Sequence, residues 1–405
     1  MNAWIKERVE VSIILIVLLL TAIGIASIYS ATFDNQSLVY FYRQMAFAGI
    51  GLLLMAIIAF TPFRTLQLLS YPLYGLSITV LFMILVMGKV VAGSKSWFGF
   101  GGFGLQPSEL VKVTTILALA SFLSQRNVNL HRQKDLAITF GIVLLPVALI
   151  LLQPDMGTAI IYIGMLFFIL YWAGASNFLM LSLIIPGIAA IASLFGTTAF
   201  VIVIAATIVM LYVLRENRLL SAIIFSLTVL VGASVQFFFG RLAPHQQKRI
   251  ITFLNPDADP LGAGYNVIQS KIAIGSGGIL GKGYLQGTQT QLNFLPAQWT
   301  DFIYCVPSEE FGFLGAFIIL LLLTILLYRG VQIASTVKSR YASIAAIGVV
   351  SAFAIHTIIN IGMSMGMMPV IGVPLPFLSY GGSNLLTNMI MAGILLNLYA
   401  NRKEY

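Results

Sequence analysis

Long apolar runs divide this chain, and short polar stretches punctuate them. Val11 to Ser30, Gln44 to Phe63, Thr65 to Gly88, Leu136 to Pro154, Leu219 to Gly240 and Phe311 to Tyr328 contain no charged residue. Each approaches the ~20 residues a helix needs to cross roughly 30 Å of hydrocarbon. The runs are continuously apolar, which predicts helices and not the alternating strands of a barrel. Pro107 to Gln125 adds a span that carries Glu109 and Lys112. Met156 to Leu214 is uncharged and too long for one span. Turn signals at Ala173 to Asn177 and Phe195 to Thr198 divide it into three. Tyr341 to Ala400 holds two more spans, split by Met368 to Ser383. The pattern predicts an all-α polytopic membrane protein. Residues 1–405 form one bundle of about twelve transmembrane helices with a long extracytoplasmic loop of re-entrant or short helices. Val11 to Ser30 follows Lys6 and Arg8, as the apolar part of a signal peptide does, but its length predicts a retained first span.

Charge orients the bundle. The chain is 59% hydrophobic, only 9% charged, and carries a net charge of +9. Lys6, Arg8, Arg64, Arg126, Arg132, Lys134, Arg215, Arg218, Arg329, Lys338, Arg340, Arg402 and Lys403 fall in alternate loops and at the ends. The positive-inside rule places these, and both termini, in the cytoplasm. No basic cluster is interleaved with aromatic residues, so the charge does not indicate nucleic acid. The one cysteine, Cys305, excludes an internal disulfide and a thiolate metal cage. Leu105 to Glu109 and Leu152 to Asp155 share a Gln-Pro-x-acid flavour, too short to define a repeat.

The polar chemistry gathers on the outer side. Arg241 to Ser308 is far longer than an ordinary connection, and such loops are usually functional. Its glycines, with Lys271 and Lys282, suit either an anion-binding nest or a re-entrant hairpin held by small residues. Asn293 to Gly312 brings in Asp301, Glu309 and Glu310. Asp301 reads as a helix N-cap or as a general base. Three neighbouring carboxylates should repel and raise at least one pKa, which suits a base. Glu109 and Lys112, at i and i+3, read as a buried ion pair or as groups that orient a ligand or tune Asp301. Asp155 reads as a helix cap or a cation ligand, and His356 as a packing residue within a span. Pro369 to Ser383 holds too many prolines and glycines for a helix and is expected to wall the same site.

These residues resemble the SEDS family (shape, elongation, division and sporulation) over nearly the whole chain. The motifs are Gln106-Pro-Ser-Glu109 with Lys112, Gln153 to Gly157, Asp259 to Tyr265, Gln269 to Gly278, Thr300 to Ile303 with Glu309 and Glu310, and Gly372 to Ser383. Gly281 to Gln289, then Phe294 to Pro296, looks like the RodA branch rather than FtsW. The resemblance implies a peptidoglycan glycosyltransferase that polymerises lipid II at the outer leaflet, for cell elongation and rod shape. Its implied partners are the lipid substrate, the nascent strand and a class B penicillin-binding transpeptidase. The family's aspartate falls on Asp301, and its Glu and Lys on Glu109 and Lys112, which gives the catalytic set. The substrate-binding set is Lys95, Trp97, Gln106, Ser108, Asp155, Lys271, Lys282, Gln289, Thr300, Ser379 and Ser383.

Three departures stand out. Pro296-Ala-Gln-Trp299 precedes Thr300 and Asp301 where the family usually has an acid and a histidine. The usual arginine before Trp97 is Ser96, with Lys95 one place earlier. The family usually has ten spans, so the extra pair would fall between Gly174 and Arg218. The expected reaction has Asp301 deprotonate an acceptor hydroxyl. Lys112, Lys271, Lys282, glycine-loop N–H groups and a divalent cation (Mg or Mn) would meet the leaving pyrophosphate. No organic cofactor is expected. A lipid II flippase or a non-catalytic membrane scaffold is the alternative; a flippase would need polar groups at both leaflets.

Overall fold

A computed structural model of the chain describes residues 10–33, 38–91, 94–100, 103–214, 218–239, 247, 264–292 and 294–403. Twelve helices of 17–25 residues run back and forth among them. They are α1 (Val11–Thr32), α2 (Val39–Phe60), α3 (Phe63–Met87), α4 (Pro107–Leu123), α5 (Gln133–Leu151), α6 (Met156–Trp172), α7 (Asn177–Leu194), α8 (Thr197–Leu214), α9 (Arg218–Phe239), α13 (Gly312–Thr336), α14 (Arg340–Ser364) and α15 (Gly382–Ala400). Eight of these are long and apolar enough to cross a membrane by length and composition. Shorter helices α10 (Tyr265–Ser276), α11 (Thr288–Gln291) and α12 (Cys305–Glu310) lie between α9 and α13. The uncharged stretch after Asp155 forms the three expected helices, α6 to α8.

Local chemistry sets the boundaries. Asp155, Ser176 and Ser339 accept hydrogen bonds from the first-turn N–H groups of Thr158, Leu179 and Ala342, and so start α6, α7 and α14. Pro107 occupies the first turn of α4, where no N–H is needed. Several helices outrun their apolar runs, and α2 and α13 do so furthest. α2 begins at Val39 and includes Arg43, while α13 continues past Arg329 to Thr336. A long basic side chain at a span's edge lays its stem on the apolar face and keeps its head in polar surroundings. Arg329 does so beside Gln332, 3.7 Å from Glu10. The loop expected at Lys89 to Leu105 instead folds as an antiparallel sheet of β1 (Lys89–Val91), β2 (Ser94–Phe100) and β3 (Phe103–Leu105).

α4, α14 and α15 form the centre of the bundle, with nearly every residue of each buried. Large apolar side chains on α2, α3 and α8 remain exposed, as lipid-facing helices require. Residues 365–381, between α14 and α15, leave the helical path and fold back into the bundle, burying Val373, Leu375, Phe377 and Leu378. Gly157 admits this segment: a Cβ there would lie 2.6 Å from the Ile371 carbonyl oxygen. Cross-links gather the polar elements at one end of the bundle. Gln291 and Gln298 donate to the last turn of α1, and Gln44 near the start of α2 donates to the Ser379 carbonyl. The backbone N–H of Gln106 meets Ser383 at the start of α15.

Candidate active site

Asp301 lies in the turn before α12, whose N-cap is Tyr304, so its carboxylate does not cap that helix. The turn is held from three sides. Asn360 donates from Nδ2 to the Asp301 carbonyl, 2.8 Å away, and to the Val373 carbonyl at 2.8 Å. Ser379 donates to the Thr300 carbonyl at 2.6 Å and accepts from Leu375 N–H. Tyr380 N–H donates to the Trp299 carbonyl at 2.8 Å. The Asp301 side chain is half-buried, facing Gly372, where a Cβ would sit 3.5 Å from Oδ2. Burial pushes its carboxyl above the usual carboxylate range, and the Thr300 hydroxyl pulls partly back. The direction is as expected, but the cause is desolvation and not neighbouring acids.

Glu309 and Glu310 belong to a different construction. Glu309 is fully buried and accepts from Lys282 Nζ at 2.8 Å, Gln289 N–H at 2.9 Å, Thr290 N–H at 3.0 Å and two threonine hydroxyls. Burial would raise its pKa, but these hydrogen bonds outweigh it and hold the carboxyl below its ordinary value. Glu310 accepts from Ser30 Oγ and from Leu285 N–H, and burial raises it. The glycine-rich loop is therefore an anion nest around the protein's own acids. Gly281, at φ +82, makes this wrap possible: a Cβ there would meet the Glu310 carbonyl at 2.1 Å. Lys282 and Gln289 were expected on substrate; the structure instead commits Lys282 Nζ and the Gln289 N–H to Glu309.

The Glu109–Lys112 pair is buried inside the bundle, with Lys112 Nζ 2.9 Å from Glu109 Oε2. The same ammonium group lies 2.7 Å from His356 Nε2, so His356 is part of the polar cluster and not a packing residue. Asp155 is the helix cap of the two readings. Its oxygens accept from Thr158 N–H, the Thr158 hydroxyl and Gln106 Nε2. Ser108 is buried, its carbonyl accepting from Tyr162 OH, and its own hydroxyl has no partner among the described residues. Ser379 and Ser383 both tie backbone segments together. Trp97 lies over Gly104 within the sheet. The Lys95 side chain falls outside the described residues. Lys271 is exposed on α10 beside Gly366, with no ion pair shown among the described residues. α10 packs through Ala273 on Leu295, Phe302 and Cys305, so it abuts the Asp301 turn.

Sequence reading missed an aromatic group next to Asp301. Tyr40 stacks on Trp299 with centroids 5.4 Å apart, and Tyr380 meets Tyr40 edge-on at 5.1 Å. All three are half-buried, and Arg43 hydrogen-bonds the Tyr380 hydroxyl. Only tertiary structure brings these positions together. As for a cation, no three His, Cys, Asp or Glu side chains assemble a ligand set among the described residues.

The sequence and the fold of this chain are also similar to those of known proteins. The family model described as "Cell cycle protein", FTSW_RODA_SPOVE, matches residues 10–198 and 195–404. The chain belongs to this family. Stage V sporulation protein E of Bacillus subtilis (strain 168) is 36% identical, over 97% of this chain and 97% of the relative. Peptidoglycan glycosyltransferase RodA of Treponema pallidum (strain Nichols) is 36% identical over 96% and 97%. A chain from a solved structure on the coordination of polymerization and crosslinking by a peptidoglycan synthase complex superposes with a TM-score of 0.75. It is 31% identical and covers 98% of this chain and 99% of that one. The folded chain places the buried Glu109–Lys112 pair and the Asp301 turn around one irregular segment, residues 365–381.

Proposed function

We propose that this chain is a peptidoglycan glycosyltransferase that polymerises lipid II at the outer face of the cytoplasmic membrane, with Asp301 as general base. One observation carries the role of Asp301. It is a half-buried carboxylate with a raised pKa, on a turn fixed by Asn360, Ser379 and Tyr380, and the Thr300 hydroxyl is the one fold donor shown to its side chain among the described residues. Glu309, Glu310 and Asp155 are all engaged by fold donors.

In the reaction, the acceptor sugar hydroxyl attacks the anomeric carbon of the donor. A new C–O bond forms, and the old bond to pyrophosphate breaks with its electron pair leaving on the phosphate oxygen. The hydroxyl proton passes to Asp301, as to the base carboxylate of an inverting glycosidase. Lys271 is the cation best disposed to meet the leaving group, since Lys112 and Lys282 are already paired. A divalent cation carried by the pyrophosphate would add charge neutralisation at the leaving group. Chelation by EDTA followed by Mg or Mn titration of polymerisation tests that dependence.

The distribution of Lys and Arg supports cytoplasmic termini and an outward-facing site. The structural match to a member of a synthase complex supports a class B penicillin-binding transpeptidase as partner. The rigid aromatic group of Tyr40, Trp299 and Tyr380 suits stacking on a sugar face. Trp299→Ala should raise KM for lipid II by about tenfold, with a smaller effect on kcat. The deciding assay is polymerisation of fluorescent lipid II by the purified protein, alone and with its transpeptidase. Lipid movement between leaflets without glycan product would favour the flippase instead.

A further inference from the structure

α14 carries a polar stripe that neither the motifs nor the proposed chemistry account for. His356, Asn360 and Ser364 stand four residues apart, so they line one face of the helix. All three are buried, in a helix whose other buried residues are mostly apolar. Polar groups so deep in a membrane bundle are costly unless they serve a purpose.

The hydrogen bonds define that purpose. Lys112 Nζ, a donor only, lies 2.7 Å from His356 Nε2. Nε2 must therefore accept, which places the ring proton on Nδ1. Nδ1 is 3.0 Å from the Pro374 carbonyl and donates to it. One turn along, Asn360 spends both of its N–H bonds on the carbonyls of Val373 and Asp301. Val373 and Pro374 are adjacent. The Glu109–Lys112 pair and the Asp301 turn thus hang on two adjacent peptide units, one each, through one side chain of α14 apiece. Ser364 closes the stripe, its hydroxyl donating to the Asn360 carbonyl and its backbone carbonyl accepting from the Ser270 hydroxyl of α10.

We propose that His356 and Asn360 are positioning residues, one turn apart on α14, that hold the Glu109–Lys112 pair and Asp301 in one frame through Val373 and Pro374. His356 works as a one-way connector, accepting from Lys112 and donating to the segment that faces Asp301. The inference rests on the glycosyltransferase reading only for its kinetic consequence; the tautomer of His356 is independent of it.

The test uses the full-length protein in lipid nanodiscs. His356→Phe keeps the ring and loses both hydrogen bonds. His356→Gln keeps an acceptor and a donor at the end of the side chain. A displacement of ~1 Å in a catalytic array costs about a hundredfold in rate. His356→Phe should therefore lower kcat for lipid II polymerisation about a hundredfold with little change in KM, and His356→Gln should recover most of it. In a Lys112→Ala background, His356→Phe should add no further loss. Wild-type kcat in His356→Phe, or equal loss in His356→Gln, overturns the proposal. For the case in which His356→Phe does not fold, 15N-histidine solid-state spectra of the unaltered protein decide. The chain has three histidines, and the signal missing from His356→Gln is that of His356. It should show a neutral ring protonated at Nδ1; a proton on Nε2, or on both nitrogens, overturns the connector. If wild-type protein makes no glycan, the polymerase reading fails while the spectra still judge the frame.

Discussion

Asp301→Asn is expected to abolish glycan polymerisation while leaving the fold and lipid II binding intact. The substitution preserves shape, and the Asp301 carbonyl that receives Asn360 is untouched. What disappears is the ability to take a proton, a contribution of about 10²–10⁴ in rate for a positioned base. The pH profile adds a sharper mark. Burial raises the Asp301 carboxyl, and a base works only when ionised, so activity falls as pH drops through that raised value. The acid limb of kcat/KM should lie above the ordinary carboxylate range. Thr300→Val removes the hydroxyl that holds the pKa down and should move the limb higher still. Stability runs the opposite way. A carboxyl raised in the folded state lowers stability as pH climbs from its unfolded pKa through the folded one. At neutral pH Asp301→Asn should therefore melt above wild type. Full activity in Asp301→Asn, or an acid limb that Thr300→Val leaves in place, removes Asp301 from the chemistry.

The bundle was legible because membrane helices announce themselves in composition. Apolar runs and alternating basic loops locate every helix between 11 and 239, as Val39–Phe60 against Gln44 to Phe63 and Gln133–Leu151 against Leu136 to Pro154 show. The ends at Arg43 and Arg329 differ because a charge in sequence reads as a stop, whereas a long basic side chain tolerates the edge of a span. The small sheet at 89–105 was missed because its strands are short and the stretch that holds them is interrupted by glycines. Within the site, Asp301, Glu109 and Lys112 stood out as charges in a chain with few of them. His356 and Asn360 could not be paired from sequence. Their partners lie on a helix remote in the chain and on backbone carbonyls of an irregular segment, and neither leaves a periodic trace. Lys282 and the glycine loop misled for the converse reason. A cation beside glycines looks the same whether the anion it holds is a ligand or Glu309.

Glu309 is where that distinction has the largest consequence for stability. Its carboxylate is fully buried and gathers donors from Lys282, Thr288, Gln289 and Thr290, three of them in sequence. Glu309→Ala leaves two buried backbone N–H groups without their acceptor and Lys282 without its counter-charge, a loss on the order of 3–5 kcal/mol at about 1–3 kcal/mol for each buried donor left unsatisfied. Lys282→Met should cost much less, about 1 kcal/mol, because Lys282 is a quarter exposed and Glu309 keeps its backbone donors. The pH dependence carries the opposite sign to that of Asp301. The Glu309 carboxyl is held below its ordinary value, so its stabilisation is complete above the unfolded pKa and fades as pH falls through the folded one. Thermal unfolding of both variants in nanodiscs across acid to neutral pH checks this. If Lys282→Met destabilises as much as Glu309→Ala, the backbone nest contributes little and the salt bridge alone holds the loop. If neither variant shifts the transition while Lys282→Met loses lipid II affinity, Lys282 leaves Glu309 to bind substrate and the nest is open to a ligand.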